Sequence, residues 1–152
     1  MLPVLRRIID ACQNGTSYER FGKEQTIKMD ENDALIVSPA QATWMDADPS
    51  GIGKTIMTPR NGKAVEINAL WYDNIRFLST LERQDKNLLK ARDYDTLAVD
   101  IKKSFNSKFW NWSENALLDV IEGDAHGGAI RPNMVLAVSQ GGFYFLKTAR
   151  SG

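Results

Sequence analysis

The sequence predicts a mainly α-helical chain in which a short β-hairpin and a long loop lie between helices. Apolar residues recur at α-helical spacing in residues 64–84 and again in residues 92–111. Repeated prolines and glycines in residues 39–62 exclude long regular structure from that stretch. A cluster of turn-forming residues at 30–33 separates two segments rich in apolar and β-branched side chains.

The first predicted helix spans residues 4–13, and Gly15 is expected to end it. Its apolar side chains share one face, on which Cys12 also lies. That position favours a buried, unreactive thiol over a nucleophile. The other members of the face are Val4, Leu5, Ile8 and Ile9.

Residues 24–29 and 34–37 are predicted as two short strands joined by the Asp-Glu-Asn-Asp turn at 30–33. The irregular stretch at 39–62 follows them. A loop of that length inside a compact domain is uncommon and is often functional.

The helix predicted at residues 64–84 is the clearest element of the chain. The second long helix is predicted at residues 92–111, with Asp93 or Asp95 at its N-terminus, where a carboxylate interacts well with the helix dipole. The buried stripe of the first comprises Val65, Ala69, Tyr72, Ile75 and residues 78–81, and that of the second comprises Leu97, Ala98, Ile101, Phe105, Phe109 and Trp110.

The remaining segments are shorter. Residues 117–121 are an apolar run, expected to be a strand or an extended segment, and residues 122–128 are a loop. Pro132 is expected to open a helix that ends near Ser139, because proline suits a first helical turn. We therefore predict a domain at residues 1–139 and an atypical C-terminal tail at residues 140–152.

Composition and charge exclude several classes of partner. The chain has 19 Lys and Arg against 19 Asp and Glu, so no basic excess attracts nucleic acid or anionic lipid. No apolar run approaches the ~20 residues that cross a bilayer. Charged residues, among them Arg6 and Asp10, interrupt any secretory leader, and the single cysteine excludes an internal disulfide. We expect a cytoplasmic protein with no nucleic-acid or membrane partner.

Two candidate cofactor sites are weak. Residues 51–55 (Gly-Ile-Gly-Lys-Thr) resemble a phosphate-binding loop, but Asp48 stands where that motif needs a glycine, and Pro59 blocks the helix that should follow. His126 is the only histidine and has no cysteine pair nearby, which argues against a metal site. We expect neither a metal nor an organic cofactor.

Residues 43–47 (Thr-Trp-Met-Asp-Ala) are suited to holding and protonating a sugar. Asp46 follows Trp44 and Met45, whose apolar side chains would favour a protonated carboxyl by desolvation. Such a carboxyl can donate its proton to a glycosidic oxygen, and Trp44 offers a flat face to the ring. An ordinary loop aspartate beside a core tryptophan is the alternative.

Residues 58–72 supply further polar candidates. Glu66 lies in the first turn of a helix, and the planar guanidinium of Arg60 can bind Asp46, Glu66 or a sugar hydroxyl. Asn68 and Trp71 lie on the same helix, but their spacing does not place all three helical residues on one face. Trp71 is therefore equally explained as a core residue.

Taken together, residues 43–47 and 58–72 resemble the amylo-alpha-1,6-glucosidase domain of glycogen debranching enzymes, in its prokaryotic form. Similar segments continue along most of the chain, over about residues 4–139. They are residues 15–18 (Gly-Thr-Ser-Tyr), 27–30 (Ile-Lys-Met-Asp), 104–106 (Ser-Phe-Asn), 108–111 (Lys-Phe-Trp-Asn) and 130–133 (Ile-Arg-Pro-Asn).

The resemblance implies an (α/α)6 toroid of helical hairpins and an inverting hydrolysis of α-1,6-linked glucose at branch points of glycogen or limit dextrin. Asp46 matches the family's general acid. Trp44, Arg60, Glu66 and Asn68 match positions near its site, and with Trp71 they are the predicted substrate-binding residues. No metal or organic cofactor is implied.

The resemblance also predicts an incomplete site. A full toroid needs several hundred residues, and the family's second carboxylate lies beyond the matching segments. We therefore expect a fragment, weakly active or inactive alone, whose uncovered helix faces promote self-association. A non-catalytic glucan-binding remnant is the alternative, and Glu66, Glu122 or Asp124 would have to be the base if the chain proved active.

Overall fold

The computed structural model describes residues 1–52, 56–123 and 128–139. Within these ranges four helices and three small sheets follow one another. They are α1 (Leu2–Asn14), β1 (Thr16–Arg20), β2 (Lys23–Met29), β3 (Ile36–Val37), β4 (Lys63–Ala64), α2 (Val65–Gln84), α3 (Leu88–Lys108), β5 (Trp110–Asn111), β6 (Ala116–Leu117), β7 (Val120–Ile121) and α4 (Asn133–Ser139).

Helix α1 confirms the prediction at residues 4–13. It ends at Gly15, whose φ of 102° is readily adopted only by glycine. The predicted face is only partly covered, since Ile9 is buried while Val4 and Ile8 remain about half exposed. Cys12 is half-buried, and burial raises the pKa of its thiol, which agrees with an unreactive cysteine.

The hairpin is extended by a strand that the sequence did not predict. β1 pairs antiparallel with β2, and β2 pairs antiparallel with β3, so the sheet has the order β1-β2-β3. The sequence of β1, Thr-Ser-Tyr-Glu-Arg, lacks a clear apolar alternation, which is why the pattern missed it. β3 is shorter than the predicted strand 34–37 because Ala34 adopts a φ of 60°.

Helices α2 and α3 form a helical hairpin around which the core packs. Their facing side is lined by buried apolar residues, among them Ile75, Leu78, Ile101 and Phe105. The rings of Phe105 and Phe109 stack with centroids 4.4 Å apart. α1 joins this core and is also tied to α2 by Arg6, which donates two 2.6 Å hydrogen bonds to Glu82.

The predicted start of the second long helix at residue 92 is wrong, and so is its end at residue 111. α3 begins at Leu88, and the N-cap is Asn87, whose side chain accepts a 3.4 Å hydrogen bond from the Lys90 amide. Leu88 and Leu89 are exposed and lie outside the apolar stripe, so periodicity gave no sign of this first turn. At the other end the chain leaves the helix for β5.

The remaining predictions about elements largely agree with the structure. The run at 117–121 includes the last residue of β6 and the whole of β7, and the helix opened by Pro132 is α4. Helices predominate in the described residues, as predicted, whereas the toroid stays a prediction. No described helix is both long and apolar enough to cross a membrane. His126, Lys54 and the tail at residues 140–152 lie outside the described residues.

Candidate functional site

The predicted functional loop leaves and re-enters the fold at one point. Ser38 and Gly62 exchange backbone hydrogen bonds of 2.9 Å in both directions, which closes the loop at its base. Gly62 has a φ of 116°, and a β-carbon there would lie 2.6 Å from the carbonyl oxygen of Ile121. This glycine is therefore required where the loop base packs against β7.

Arg60 is the anchor of the loop. It is 1% exposed, and its two terminal nitrogens each donate a 2.5 Å hydrogen bond to a carboxylate oxygen of Glu66. Its Nε donates to Asp119 Oδ2 at 2.9 Å. Burial opposes the charge of Arg60, but the bonds to Glu66 and the two carboxylate charges hold its pKa above the ordinary value. The Arg60 guanidinium is therefore permanently charged. It binds the Glu66 carboxylate through two nitrogens at once, which the single ammonium group of a lysine could not do.

Asp119 is the residue at this site that sequence reasoning missed. Besides Arg60, it accepts 2.7 Å hydrogen bonds from Arg131 Nη1 and from Asn133 Nδ2, and its backbone oxygen accepts from the Val65 amide at 3.0 Å. It is fully buried. Its position as a lone carboxylate inside the apolar run 117–121 was an available signal that it is buried and paired.

The segment that carries Asp46 alternates between inward and outward side chains. Thr43 is buried, with its Oγ1 accepting from Arg60 Nη1 at 3.1 Å and from the Met45 amide at 3.3 Å. Met45 is half-buried, and its sulfur accepts a 3.3 Å contact from Asn133 Nδ2. Trp44 is 61% exposed and Asp46 is exposed as well. The buried network therefore presents Trp44 and Asp46 together on the outer side of the loop.

The apolar shielding that we expected around Asp46 is not seen among the described residues. Asp46 is exposed, Met45 turns inward to Asn133, and Trp44 lies largely in solvent. The contact that fixes Asp46 is made by its backbone oxygen, which accepts from Gln41 Nε2 at 3.3 Å. Its role as general acid stays a prediction.

Asn68 and Trp71 lie beneath β3. The Asn68 amide accepts from the Ile36 amide at 2.6 Å and donates to the Ile36 carbonyl at 3.1 Å, so it pairs with that backbone like a neighbouring strand. Trp71 Nε1 donates to the Ala34 carbonyl at 3.1 Å. Both side chains are buried, as are those of Arg60 and Glu66. These contacts hold the sheet and loop against α2, and the substrate-binding roles of the four residues stay predictions.

A second charged cluster lies beside the loop base. Lys63 is 1% exposed and contacts carboxylate oxygens of Asp30 at 2.8 Å, of Asp33 at 2.6 Å and of Glu122. Lys108 also reaches Asp33 and Glu122. The three carboxylates are close enough together to hold a metal ion. The Lys63 ammonium group lies among them, and together Lys63 and Lys108 offset two of the three carboxylate charges.

This cluster predicts a loss of stability in acid. The hydrogen bond from Lys63 is the main reason that the pKa of Asp30 falls from 3.8 to about 2. Because the folded-state pKa is the lower one, the stabilisation is complete above the unfolded value and is lost as pH falls. Asp30 should therefore stabilise the fold above about pH 4 and lose that contribution between about pH 4 and pH 2.

Urea unfolding measured across this range should show a shallower pH dependence for Asp30→Asn than for the unmodified chain. Other carboxylates with lowered pKa values, such as Glu82, contribute to the remaining slope. Identical slopes for the two proteins would contradict the assignment to Asp30.

Comparison with known proteins agrees with the motifs of the loop. A model of the amylo-alpha-1,6-glucosidase family matches residues 1–147. A comparison with curated proteins found no match. The matched range includes the loop, the Arg60 network and both long helices, and it continues past residue 139, the predicted end of the domain.

Proposed function

The chain belongs to the amylo-alpha-1,6-glucosidase family, and on that premise we propose that it acts in the hydrolysis of α-1,6-linked glucose at branch points of an α-glucan such as glycogen. The family match over residues 1–147 carries this proposal. The arrangement of residues 43–46, with two side chains anchored inward and two presented outward, supports the placement of the site on this loop.

In the proposed reaction Asp46 is the general acid. Its carboxyl group gives a proton to the glycosidic oxygen as the bond to the anomeric carbon breaks. A second carboxylate on the opposite side of the sugar would remove a proton from the attacking water, and inversion needs the two about 6.5–9.5 Å apart. Trp44, exposed next to Asp46, would support the apolar face of the sugar ring.

Four residues would lie behind Trp44 and Asp46, further from the sugar. They are Arg60, Glu66, Asn68 and Trp71. All four are buried, and their polar atoms bind neighbouring protein groups. We propose that they set the position of the Trp44–Asp46 segment, because Arg60 reaches that segment directly through the Thr43 hydroxyl.

The chain is expected to release glucose slowly or not at all by itself. Glu66 is bound to Arg60, and Glu122 is bound to Lys63 and Lys108, so both carboxylates are held in ion pairs within the protein. Asp124 lies outside the described residues. Glucose released from panose, a trisaccharide with an α-1,6 bond, measures this activity, and turnover typical of glycosidases would contradict the prediction.

A measurement of sugar binding distinguishes this proposal from a chain that makes no contact with sugar. Panose binding measured by calorimetry should weaken in Trp44→Ala, because the exposed indole is the proposed platform. Phe77→Ala, which removes an exposed aromatic side chain of α2, is the matched control and should leave binding unchanged. Panose binding with no glucose above the uncatalysed rate is expected of an incomplete enzyme and of the glucan-binding alternative alike, whereas slow release that Asp46→Asn lowers would favour the enzyme. Self-association and a cytoplasmic location stay predictions of the sequence.

A further inference from the structure

The turn between β1 and β2 holds an aromatic residue in an unfavourable conformation. Arg20 pairs with Lys23, so Phe21 and Gly22 form a two-residue hairpin turn, and their φ angles are 52° and 71°. Such turns favour asparagine followed by glycine, whereas a bulky side chain at positive φ is strained. Phe21 is also 48% exposed, so packing does not explain its presence. Backbone strain at an exposed position points to a functional contact of the side chain.

Phe21 lines a cavity of about 260 Å³ between the hairpin and the long loop. The hairpin also contributes Arg20, Lys23 and Gln25, and the loop contributes Ala40, Gln41, Ile52 and Ile56. Among the described residues that line it, none is an aspartate or a glutamate. The cavity thus combines apolar side chains with two glutamines and two cationic side chains, those of Arg20 and Lys23.

The cavity shares a wall with the segment that carries Asp46. Gln41 is buried and at a φ of 62°, its backbone oxygen accepts from Arg20 Nη1 at 2.7 Å, and its Nε2 donates to the Asp46 backbone oxygen at 3.3 Å. One residue therefore contacts both the hairpin side of the cavity and the residue proposed as the acid. A single hydrogen bond therefore joins the wall of the cavity to the backbone of Asp46.

We propose that this cavity binds a glucose ring of the same branched glucan, beside the ring at Trp44 and Asp46. The inference rests on the proposed function. A pyranose has apolar C–H faces that match Phe21 and the two isoleucines, and hydroxyl groups that match the donors and acceptors of Arg20 and Gln25. Arg20 lies 5.2 Å from the centroid of the Phe21 ring and holds the ring in place. An anion would meet the positive charges of Arg20 and Lys23 but would gain nothing from the apolar half of the cavity.

The test uses the full chain and Phe21→Asn. Asparagine followed by glycine suits the turn better than phenylalanine, so the variant should melt no lower than the unmodified chain. Calorimetry with panose should nevertheless give about tenfold weaker binding, because the apolar platform is gone. Gln25→Ala, which leaves the turn untouched, should weaken binding in the same direction. Phe77→Ala again provides the control.

Amide and indole signals in ¹⁵N NMR spectra locate the sugar. Panose should shift both the Gln25 side-chain amide and the Trp44 indole. A shift at Trp44 with none at Gln25, together with full affinity in Phe21→Asn, would refute sugar binding in the cavity. The proposed function would still stand. No shift at either would refute the proposed function and this inference with it. Inorganic phosphate that shifts Gln25 where panose does not would identify an anion site and also overturn the proposal.

Discussion

Replacing Arg60 with methionine should destabilise the fold by about 3–5 kcal/mol, as breaking a buried ion pair from one side typically does. The substitution leaves Glu66 and Asp119 without their shared cation, and both carboxylates are buried. The substitution also removes the hydrogen bond that Arg60 Nη1 donates to the Thr43 hydroxyl. Urea unfolding followed by far-UV circular dichroism gives the change in free energy.

The matched control is Arg76→Met, because Arg76 lies on the same long helix as Glu66 but is exposed, and exposed substitutions usually change stability by less than about 0.5 kcal/mol. Arg60→Lys should recover only part of the loss, since an ammonium group cannot bind both carboxylates in the planar arrangement of a guanidinium. A loss below about 1 kcal/mol in Arg60→Met would contradict the view that this network holds the loop.

Replacing Asp46 with asparagine should lower the residual release of glucose from panose by about 10²–10⁴-fold, the usual contribution of a general acid. Asparagine has nearly the shape of aspartate but cannot supply the proton. Because the Asp46 side chain is exposed and is fixed through its backbone oxygen, the substitution should not alter the melting temperature. A sensitive assay of free glucose over long incubation measures the rate.

A second substrate makes this prediction specific. A dinitrophenyl glucoside has a leaving group that departs without a proton, so Asp46→Asn should lose little of the rate on it. Asp48→Asn, a neighbouring loop aspartate whose carboxylate accepts from Ser50, is the control and should behave like the unmodified chain on both substrates. Equal losses on both substrates, or none on either, would argue against an acid role for Asp46.

Local pattern was enough to predict most elements. Apolar spacing predicted α2 within one residue, and proline and glycine predicted the irregular stretch before it. The wrong or missing predictions fall in segments where the spacing of apolar residues carries no information. β1 has no apolar alternation, and the first turn of α3 exposes Leu88 and Leu89, so its start depends on the side chain of Asn87.

The candidate site could be predicted only in part. Sequence motifs singled out residues 43–46 and Arg60, and the range of the family match includes them. They did not show that Arg60, Glu66, Asn68 and Trp71 are buried behind the loop or that Asp46 is exposed. Charged residues are mostly found at protein surfaces, so pattern alone favoured contacts with a ligand over contacts within the protein.

The sequence alone determined the helices, the hairpin and the family, because these depend on side chains that are near neighbours along the chain or form ordered motifs. Tertiary structure decided what holds the loop. Arg60 meets Asp119 across 59 positions of sequence, and Asn133 reaches both Asp119 and Met45. A buried charge is tolerated only where packing brings its partners to it, and that meeting depends on how α2, β7 and α4 come together.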